Sequence, residues 1–227
     1  MHTLKYIISL CFCFVIGVSF AQQKDSIIYK KPYGLRIGLD ISKPILSTTD
    51  KSYSGFEIVG DYRISDSWYL ASEIGFEERT SSEDFSNSTS KGQYIRLGAN
   101  YNSYENWLVM NNEIYVGLRY GFSIFDQTLN SYTSNQGNSS YFPASTITPQ
   151  TTTNLKAHWL EFQFGIKHET FKNLFIGISA SYKIMVSVDE PSNFKTLYAP
   201  GFNRVFESQT GFGFNYTLSY LIPFVNK

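Results

Sequence analysis

The chain has no cysteine after residue 13, no excess of either charge, and no second long apolar run after residue 21. Its two cysteines, Cys11 and Cys13, lie in the amino-terminal apolar segment, so the rest of the chain has no disulfide, cysteine metal site or cysteine nucleophile. The 19 Lys and Arg balance 19 Asp and Glu, which argues against a general nucleic-acid binder because such proteins need an excess of cations over phosphates. A membrane helix needs about 20 apolar residues, so any crossing after residue 21 would use strands.

The first 21 residues predict a secretory signal peptide. Lys5 supplies the positive start, an apolar core follows, and Ser19-Phe20-Ala21 forms the small-x-small cleavage site. A permanent membrane anchor is disfavoured because the run is short and polar residues, rather than a cationic cluster, follow it. The predicted organisation is a signal peptide over 1–21, a periplasmic segment over 22–32 and one domain over 33–227.

From residue 35 onward, apolar and polar residues alternate in eight segments, which is the period of strands with one apolar face. In the first segment Leu35, Ile37 and Leu39 share one face, while Arg36 and Asp40 share the other. The predicted strands lie over 35–42, 56–64, 68–77, 94–101, 108–124, 160–167, 174–184 and 211–224.

The connections between these segments alternate in length. Short turns alternating with long loops are typical of antiparallel outer-membrane barrels, in which the turns face the periplasm. The sequence therefore predicts an all-β, eight-stranded antiparallel transmembrane β-barrel in the cell outer membrane. The short connections are 65–67, 102–106 and 170–173, and the long ones are 43–53, 80–92, 126–156 and 187–209.

The alternation also fits a soluble, lipocalin-like carrier, whose apolar face would point inward. Three features favour the opposite orientation. The polar face is rich in glycine, which relieves crowding inside a narrow barrel. The apolar face is nearly pure over a length that matches the ~9 to 11 residues of a membrane strand, and aromatic residues gather near strand ends. The apolar face is therefore expected to meet outer-membrane lipid.

Charged residues of both signs fall on the other face, which would line the lumen. An eight-stranded lumen is just wide enough to be filled by side chains, and buried charges are tolerated when they are paired. The balanced charges therefore predict a closed lumen held by ion pairs, without a cofactor; a proton pathway or a narrow, porin-like channel is the alternative. The predicted network consists of Arg36, Asp40, Glu57, Asp61, Arg63, Glu73, Glu77, Arg79, Arg96, Glu113, Arg119, Glu161, Lys167 and Lys183.

Five stretches are distinctive in their residues: 33–36, 59–65, 104–107, 110–123 (MNNEIYVGLRYGFS) and 197–206. Together they resemble a Bacteroidota outer-membrane barrel family known only as a domain of unknown function. The resemblance covers nearly all of the chain after the signal peptide and implies an outer-membrane barrel with no assigned catalytic residue. The chain is also distantly similar to PorT-like barrels, which implies an accessory role in protein secretion or envelope assembly as an alternative.

Two histidines follow the signal segment. His158 begins the sixth predicted strand near the loops, but no Gly-x-Ser-x-Gly or His-Glu-x-x-His spacing surrounds it. His168 falls on the lipid face at the turn side. We therefore expect a non-enzymatic protein, with a lipid A-modifying enzyme as a less favoured alternative.

Two long connections are candidates for contact with partners. The 126–156 segment has no charge between its terminal Asp126 and Lys156 and is rich in Ser, Thr, Asn and Gln. This composition suits a glycan or protein partner, but a mobile cell-surface loop is the favoured interpretation. In 187–209, Pro200-Gly201-Phe202 predicts a packed turn that caps the barrel mouth or binds a partner. The contact candidates there are Tyr198, Phe202, Asn203 and Arg204.

These predictions together describe a monomeric barrel with a structural or surface-interaction role. Its expected partners are outer-membrane lipid and, through the loops, an envelope protein or a surface ligand. No nucleic-acid partner is expected.

Overall fold

The structure is a computed structural model that describes residues 32–84, 86–106, 110–132, 149–192 and 194–226. The predicted signal peptide lies outside the described residues, as does all but the last residue of the predicted periplasmic segment. Within the described ranges, no helix combines the length and the apolar character needed to span a bilayer.

Ten strands and one helix form the described part of the chain. Eight strands close an antiparallel barrel in the order β1-β10-β7-β6-β5-β4-β3-β2, while β8 and β9 form a separate two-stranded hairpin. The predicted eight-stranded antiparallel barrel is confirmed. The elements are β1 (Pro32–Asp40), α1 (Ser42–Thr49), β2 (Tyr53–Arg63), β3 (Trp68–Glu83), β4 (Ser86–Asn102), β5 (Glu113–Tyr132), β6 (Gln150–Phe171), β7 (Leu174–Val188), β8 (Tyr198–Ala199), β9 (Asn203–Arg204) and β10 (Thr210–Asn226).

Side chains alternate across every barrel strand, as the pleat requires. On β5, Val116 and Leu118 are 53% and 49% exposed, whereas Tyr115 and Arg119 are 5% and 2% exposed. Apolar rows therefore cover the outside of the barrel and charged rows face its axis. This orientation agrees with the prediction and is the reverse of a soluble carrier.

Two of the predicted long loops are largely strand. β3 continues to Glu83 and β4 begins at Ser86. In the same way, β5 continues to Tyr132 and β6 begins at Gln150. The predictions of loops over 80–92 and 126–156 were therefore wrong for the described residues, while 133–148 lie outside them. The reason is physical: most side chains on both faces of these extensions are polar, and the isolated Leu129 and Leu155 are too few to form an apolar alternation that marks a strand.

The connection after β1 is also different from the predicted loop over 43–53, because it contains helix α1. Asp40 starts this helix: its carboxylate accepts hydrogen bonds from the Ser42 backbone N–H at 2.9 Å and the Ser42 hydroxyl at 2.6 Å. At the other end, the Ser47 hydroxyl accepts a hydrogen bond from the Gly55 N–H at 2.9 Å. The helix is therefore fixed to the ends of both β1 and β2.

The turn between β4 and β5 is longer than the predicted 102–106, because β5 begins at Glu113 rather than near residue 108. Two asparagine side chains organise it. Asn102 accepts hydrogen bonds from the Tyr104 and Ile114 N–H groups, and Asn106 bonds the backbone of Asn112 at 2.7 Å in both directions. Amide side chains thus replace the strand ladder here.

Candidate functional site

The lumen contains three groups of charged side chains, and the first lies near the turn side. Arg36 and Asp61 are direct neighbours in the β1–β2 ladder. The Arg36 guanidinium is 2.8 Å from both Asp61 and Glu113, and Lys167 Nζ lies 2.5 Å from Asp61. The Phe175 ring supports the guanidinium at 4.6 Å. Four strands are joined here by charges that neutralise one another.

The second group lies in the middle of the lumen around Arg96. Its guanidinium nitrogens are 2.5 Å from Glu57 and 3.0 Å from Glu161, and Glu73 is 3.8 Å away. Glu73 also accepts a hydrogen bond from Arg119 at 3.1 Å. Two arginines and three carboxylates therefore link β2, β3, β4, β5 and β6 across the barrel.

The third group lies beneath the mouth at the loop end of the barrel and centres on Glu77, which is fully buried. Its carboxylate accepts hydrogen bonds from the Tyr53 hydroxyl at 3.0 Å, the Tyr198 hydroxyl at 2.7 Å and the Gly201 N–H at 2.8 Å. Lys43 of α1 donates to the same carboxylate. One side chain of β3 thus fastens both the helix and the β8–β9 hairpin over the lumen.

We call Glu77 and its four donors, Lys43, Tyr53, Tyr198 and Gly201, the latch. Its electrostatics favour the charged form of Lys43. Burial acts to lower the pKa of Lys43, but the nearby Glu77 carboxylate outweighs it and raises the pKa above its ordinary value. Burial and the same carboxylate raise the pKa of the Tyr198 hydroxyl. Lys43 therefore donates as an ammonium and Tyr198 as a neutral phenol at physiological pH.

An apolar cluster lies above these charges. Phe202 is fully buried and meets the Trp159 ring edge-on at a centroid distance of 6.0 Å. Gly201 has a φ of +79°, and a Cβ there would lie 2.5 Å from the Tyr94 ring, so the turn needs glycine. The cluster consists of Tyr94, Phe125, Leu155, Ala157, Trp159, Met185, Ala199 and Phe202.

The four residues singled out in the hairpin have different positions. Tyr198 and Phe202 are buried under the mouth. Asn203 is partly exposed at a φ of 88°, and Arg204 is a surface residue paired with Glu83 at 2.9 Å. The first two contribute to the cap, and the other two remain accessible from outside.

Thirteen of the fourteen residues predicted for the lumen network are buried. The exception is Arg79, which is half-buried at the rim and lies 2.6 Å from Asp50. Hydrogen bonds from Ser52 and from Arg79 lower the pKa of Asp50 to about 2, so this rim pair is ionised at physiological pH. Inside the barrel, Lys43 occupies the role expected of Arg79.

Three of the buried residues have no ion-pair partner among the described side chains. Asp40 accepts a hydrogen bond from the Asn215 amide at 2.6 Å. Arg63 donates to two carbonyls of the turn that follows it, and Lys183 donates to the Gly201 carbonyl at 2.7 Å. Neutral partners therefore satisfy part of the network.

The space left at the centre of the lumen is small. The cavity among Arg36, Arg96 and Lys167 has a volume of about 30 Å³, which corresponds to about one water molecule. Side chains fill the barrel at this level, as expected for eight strands.

The contacts of His158 are with aromatic side chains. Its Nδ1 lies 2.8 Å from the Tyr120 hydroxyl and its ring packs 4.7 Å from Phe122, on the outside of the barrel. His168 is exposed on the same outer surface. Among the described residues, no group of three or more His, Cys, Asp or Glu is arranged to hold a metal ion.

The extended ends of β3–β6 form a surface that we call the polar wall, defined as residues 80–83, 86–91, 126–132 and 150–156. Its side chains bond one another across strands. The Thr80 and Thr89 hydroxyls are 3.0 Å apart, Asn130 donates to Thr89 at 2.9 Å, and the Thr128 and Thr151 hydroxyls are 2.9 Å apart. The wall is therefore an ordered surface made mostly of hydroxyls and amides.

The comparison with known families covers this whole architecture. The model of DUF6048, a domain of unknown function, matches residues 3–227. The chain belongs to this family. The predicted membership of a family of unknown function is confirmed, whereas a Bacteroidota origin and a likeness to PorT-like barrels stay predictions.

One solved structure similar to this DUF6048 chain is the crystal structure of Ail, the attachment invasion locus protein of Yersinia pestis. It has 12% sequence identity and a TM-score of 0.42, and the match covers 86% of this chain and 99% of that chain. No curated protein matches the chain.

Sequence reasoning missed two features of this DUF6048 barrel. Helix α1 and its inward Lys43 had a signal in Pro44, since proline is favoured in the first turn of a helix. Trp159 had a signal in the run Leu155, Ala157, Trp159, where apolar residues alternate in the phase opposite to the rest of β6. That change of phase marks where the apolar side of the strand turns inward.

Proposed function

We propose that this protein is an outer-membrane barrel that is closed to solutes and presents its polar wall outside the cell. In this role the barrel is an anchor, and the wall contacts a surface ligand or an envelope protein.

The observation that supports the membrane location is the belt of exposed apolar side chains. Ile74, Phe164 and Ile178 are 58%, 55% and 54% exposed, on strands at different positions around the barrel. Soluble monomers rarely expose contiguous apolar patches larger than a few hundred Å², and a closed barrel satisfies its backbone hydrogen bonds without water. Lipid is the solvent that fits this surface.

The arrangement of the lumen favours an anchor over a pore. Arg36 and Arg96 each bridge carboxylates from different strands, and the latch at Glu77 closes the mouth. Moving an ion through would require breaking several buried pairs at once, which costs several kcal/mol for each. In a planar bilayer we expect no steady unitary conductance from the wild-type protein, and a reproducible one would contradict the closed lumen.

The polar wall is suited to contact because its side chains are already ordered. Cross-strand bonds such as Thr80–Thr89 and Thr128–Thr151 hold the hydroxyls in place, which reduces the entropy lost on binding. Its two acidic residues, Glu83 and Asp126, balance its two basic residues, Lys91 and Lys156, which favours an uncharged glycan or a neutral protein surface over an electrostatically steered partner.

Site-specific photocrosslinking in intact cells tests this proposal. A photoreactive residue at Thr151 or Ser82, both exposed on the wall, is expected to form a defined adduct with one partner. The matched control is Lys172, which is exposed on the turn side and would contact periplasmic molecules instead. The contact role is wrong if neither wall position gives an adduct, or if Lys172 gives the same one.

The accessory role implied by the PorT-like resemblance is a finer version of the same proposal. Adducts with components of a secretion or envelope-assembly machine would support it. The enzymatic alternative has a separate test: lipid A of unchanged mass after His158→Ala would count against it.

A further inference from the structure

The barrel wall has a notch on its extracellular side. β1 ends at Asp40, opposite Thr217 of β10, and the neighbouring Leu39 pairs with Ile58 of β2. Both neighbours continue outward beyond this level, β10 to Thr210 and β2 to Tyr53. No described strand lies between them there, and helix α1 crosses the gap, with the Ile41 N–H bonded to the Tyr216 carbonyl at 2.7 Å.

A groove of about 890 Å³ lies at this notch, between α1, the rim of β2 and β3, and the β8–β9 hairpin. Its apolar part is formed by Ile45 and Leu46 of the helix and by Phe214 and Tyr216 of β10. Phe214 is 70% exposed and belongs to the outward row of β10. The groove is therefore continuous with the lipid-facing surface.

The height of the groove corresponds to the outer leaflet. Phe212, one outward position beyond Phe214, packs on Tyr182 at a centroid distance of 5.2 Å. Aromatic side chains of this kind gather where hydrocarbon meets the polar headgroups. The apolar floor thus lies just inside the interface, and the rest of the groove rises into the headgroup layer.

The upper part of the groove is polar and is lined by three cations, each of which is paired with a carboxylate. Lys43, Arg79 and Arg204 line it together with one acidic residue, Glu83. The side chains of Arg79 and Arg204 are 31% and 59% exposed in their ion pairs, and exposed pairs contribute only about 0–1 kcal/mol. A phosphate, which accepts paired hydrogen bonds from guanidinium, could compete for both arginines.

We infer that the notch groove binds an anionic lipid of the outer leaflet, with its phosphorylated head group at Arg79 and Arg204 and its acyl chains against Leu46 and Phe214. The inference rests on the proposed membrane location and is independent of what the polar wall contacts. The lipid would enter sideways from the bilayer, since the notch opens toward it.

Native mass spectrometry of the full protein in detergent tests this inference, with a diphosphorylated acyl-diglucosamine lipid as the probe. Folding of every variant is checked first by the heat-dependent shift of its gel mobility. We expect one lipid per barrel, and at least tenfold weaker binding for the same lipid without phosphates and for Arg79→Gln/Arg204→Gln. The matched control is Lys91→Gln, because Lys91 forms a comparable rim pair with Glu78 at 3.0 Å outside the groove; it should bind within twofold of wild type.

Three results would overturn the inference: equal binding of the phosphate-free lipid, unchanged binding by the double variant, or an equal loss with Lys91→Gln. Competition by inorganic phosphate at the same concentration as the lipid would show a free-anion site instead. If the double variant does not fold, Arg204→Gln alone should weaken binding at least threefold, since Arg204 is a surface residue. A folded barrel that inserts into vesicles but binds no lipid would refute this inference while leaving the proposed anchor intact.

Discussion

The strands β5 and β6 have opposite arrangements of side chains below and above one level, marked by the pair Ile124 and Lys156. Below it, Leu118 is exposed outside and Arg119 is buried inside. Above it, Asp126 is exposed outside and Phe125 is buried inside, 2% exposed. The inside and the outside exchange polarity within a few residues of the same strand.

In the proposed outer membrane, this exchange follows from the surroundings of the barrel, because lipid lies outside below the boundary and water lies outside above it. Where water lies outside, burying Phe125 and its cross-strand neighbour Leu155 removes apolar surface from water and stabilises the fold. Where lipid lies outside, moving apolar groups inward gains little, because lipid is equally apolar. Ion pairs such as those of Arg96 then hold the interior together.

Removing a buried cation below the boundary is expected to have the largest effect. Arg96→Met leaves Glu57 and Glu161 without their partner and should lower the free energy of unfolding by about 3–5 kcal/mol. Denaturant unfolding in lipid vesicles, followed by circular dichroism, measures this. Lys91→Met is the control, since its exposed ion pair should contribute about 0–1 kcal/mol; similar losses for the two variants would contradict the buried network.

Removing a large side chain from the apolar cluster around the boundary should cost nearly as much. Trp159→Ala is expected to lose about 3 kcal/mol, because the side chain is fully buried and leaves a cavity. Phe164→Ala on the outer face should lose less, since lipid chains fill the space. The same unfolding measurement compares them, and a larger loss for Phe164→Ala would be the wrong outcome.

A charge on the outer face distinguishes the two regions directly. Phe164→Arg places a cation in the apolar belt and should cost about 2–4 kcal/mol near the bilayer midplane. Thr151→Arg places the same cation on the polar wall and should change stability by about 0.5 kcal/mol or less. If the two variants lost the same free energy of unfolding in vesicles, the apolar belt and the polar wall would have the same surroundings, which would contradict a lipid-facing belt.

Loosening the latch between the two regions should have the smallest effect on stability. Glu77→Gln keeps the shape but removes the charge that Lys43, Tyr198 and Gly201 share. The cost should be about 1.5–3 kcal/mol, below that of Arg96→Met, because the Lys43 side chain is 14% exposed at the mouth and can be hydrated there. Hydrogen exchange should become faster at 198–204, and brief openings should be seen in bilayer recordings. Tyr53→Phe removes one of the four donors and is the milder control. If hydrogen exchange at 198–204 were unchanged in Glu77→Gln, the β8–β9 hairpin would be held by its apolar contacts alone.

Much of the barrel could be predicted from the sequence because a strand with one apolar outer face has an apolar residue at every second position. The row Ile176, Ile178, Ala180 and Tyr182 shows this, with Ser179 and Ser181 facing inward. The extensions above the boundary could not be predicted in this way, since Thr80 and Ser81 on opposite faces are both polar. The helix was missed because the period-two criterion gives a strand up to Ser42 and then a loop, and it contains no test for a helix after that point.

The alternation along each strand predicted which charged residues face the lumen, but it did not predict which of them form ion pairs with one another. The alternation predicts that Arg36 and Glu113 both face inward. Their contact, between residues 77 positions apart in the sequence, depends on the tilt and register of the strands. The same holds for the bond between Tyr198 and Glu77, which joins residues 121 positions apart. The sequence predicts whether a residue faces inward or outward, whereas its position along the barrel axis depends on how the strands pair when the barrel closes.

Accessibility of nitroxide labels along β6 is the most direct measurement of the orientation on which all of this depends. Single cysteines can be placed from 151 to 166 in a chain that begins at Gln22, because the natural cysteines precede it. We expect high collision rates with oxygen at 160, 162, 164 and 166, high rates with a water-soluble nickel complex at 151 and 153, and low rates with both at 157, 159, 161 and 163. Oxygen contact at the odd positions between 159 and 165, or nickel contact at 162 and 164, would contradict a barrel whose apolar side chains face lipid.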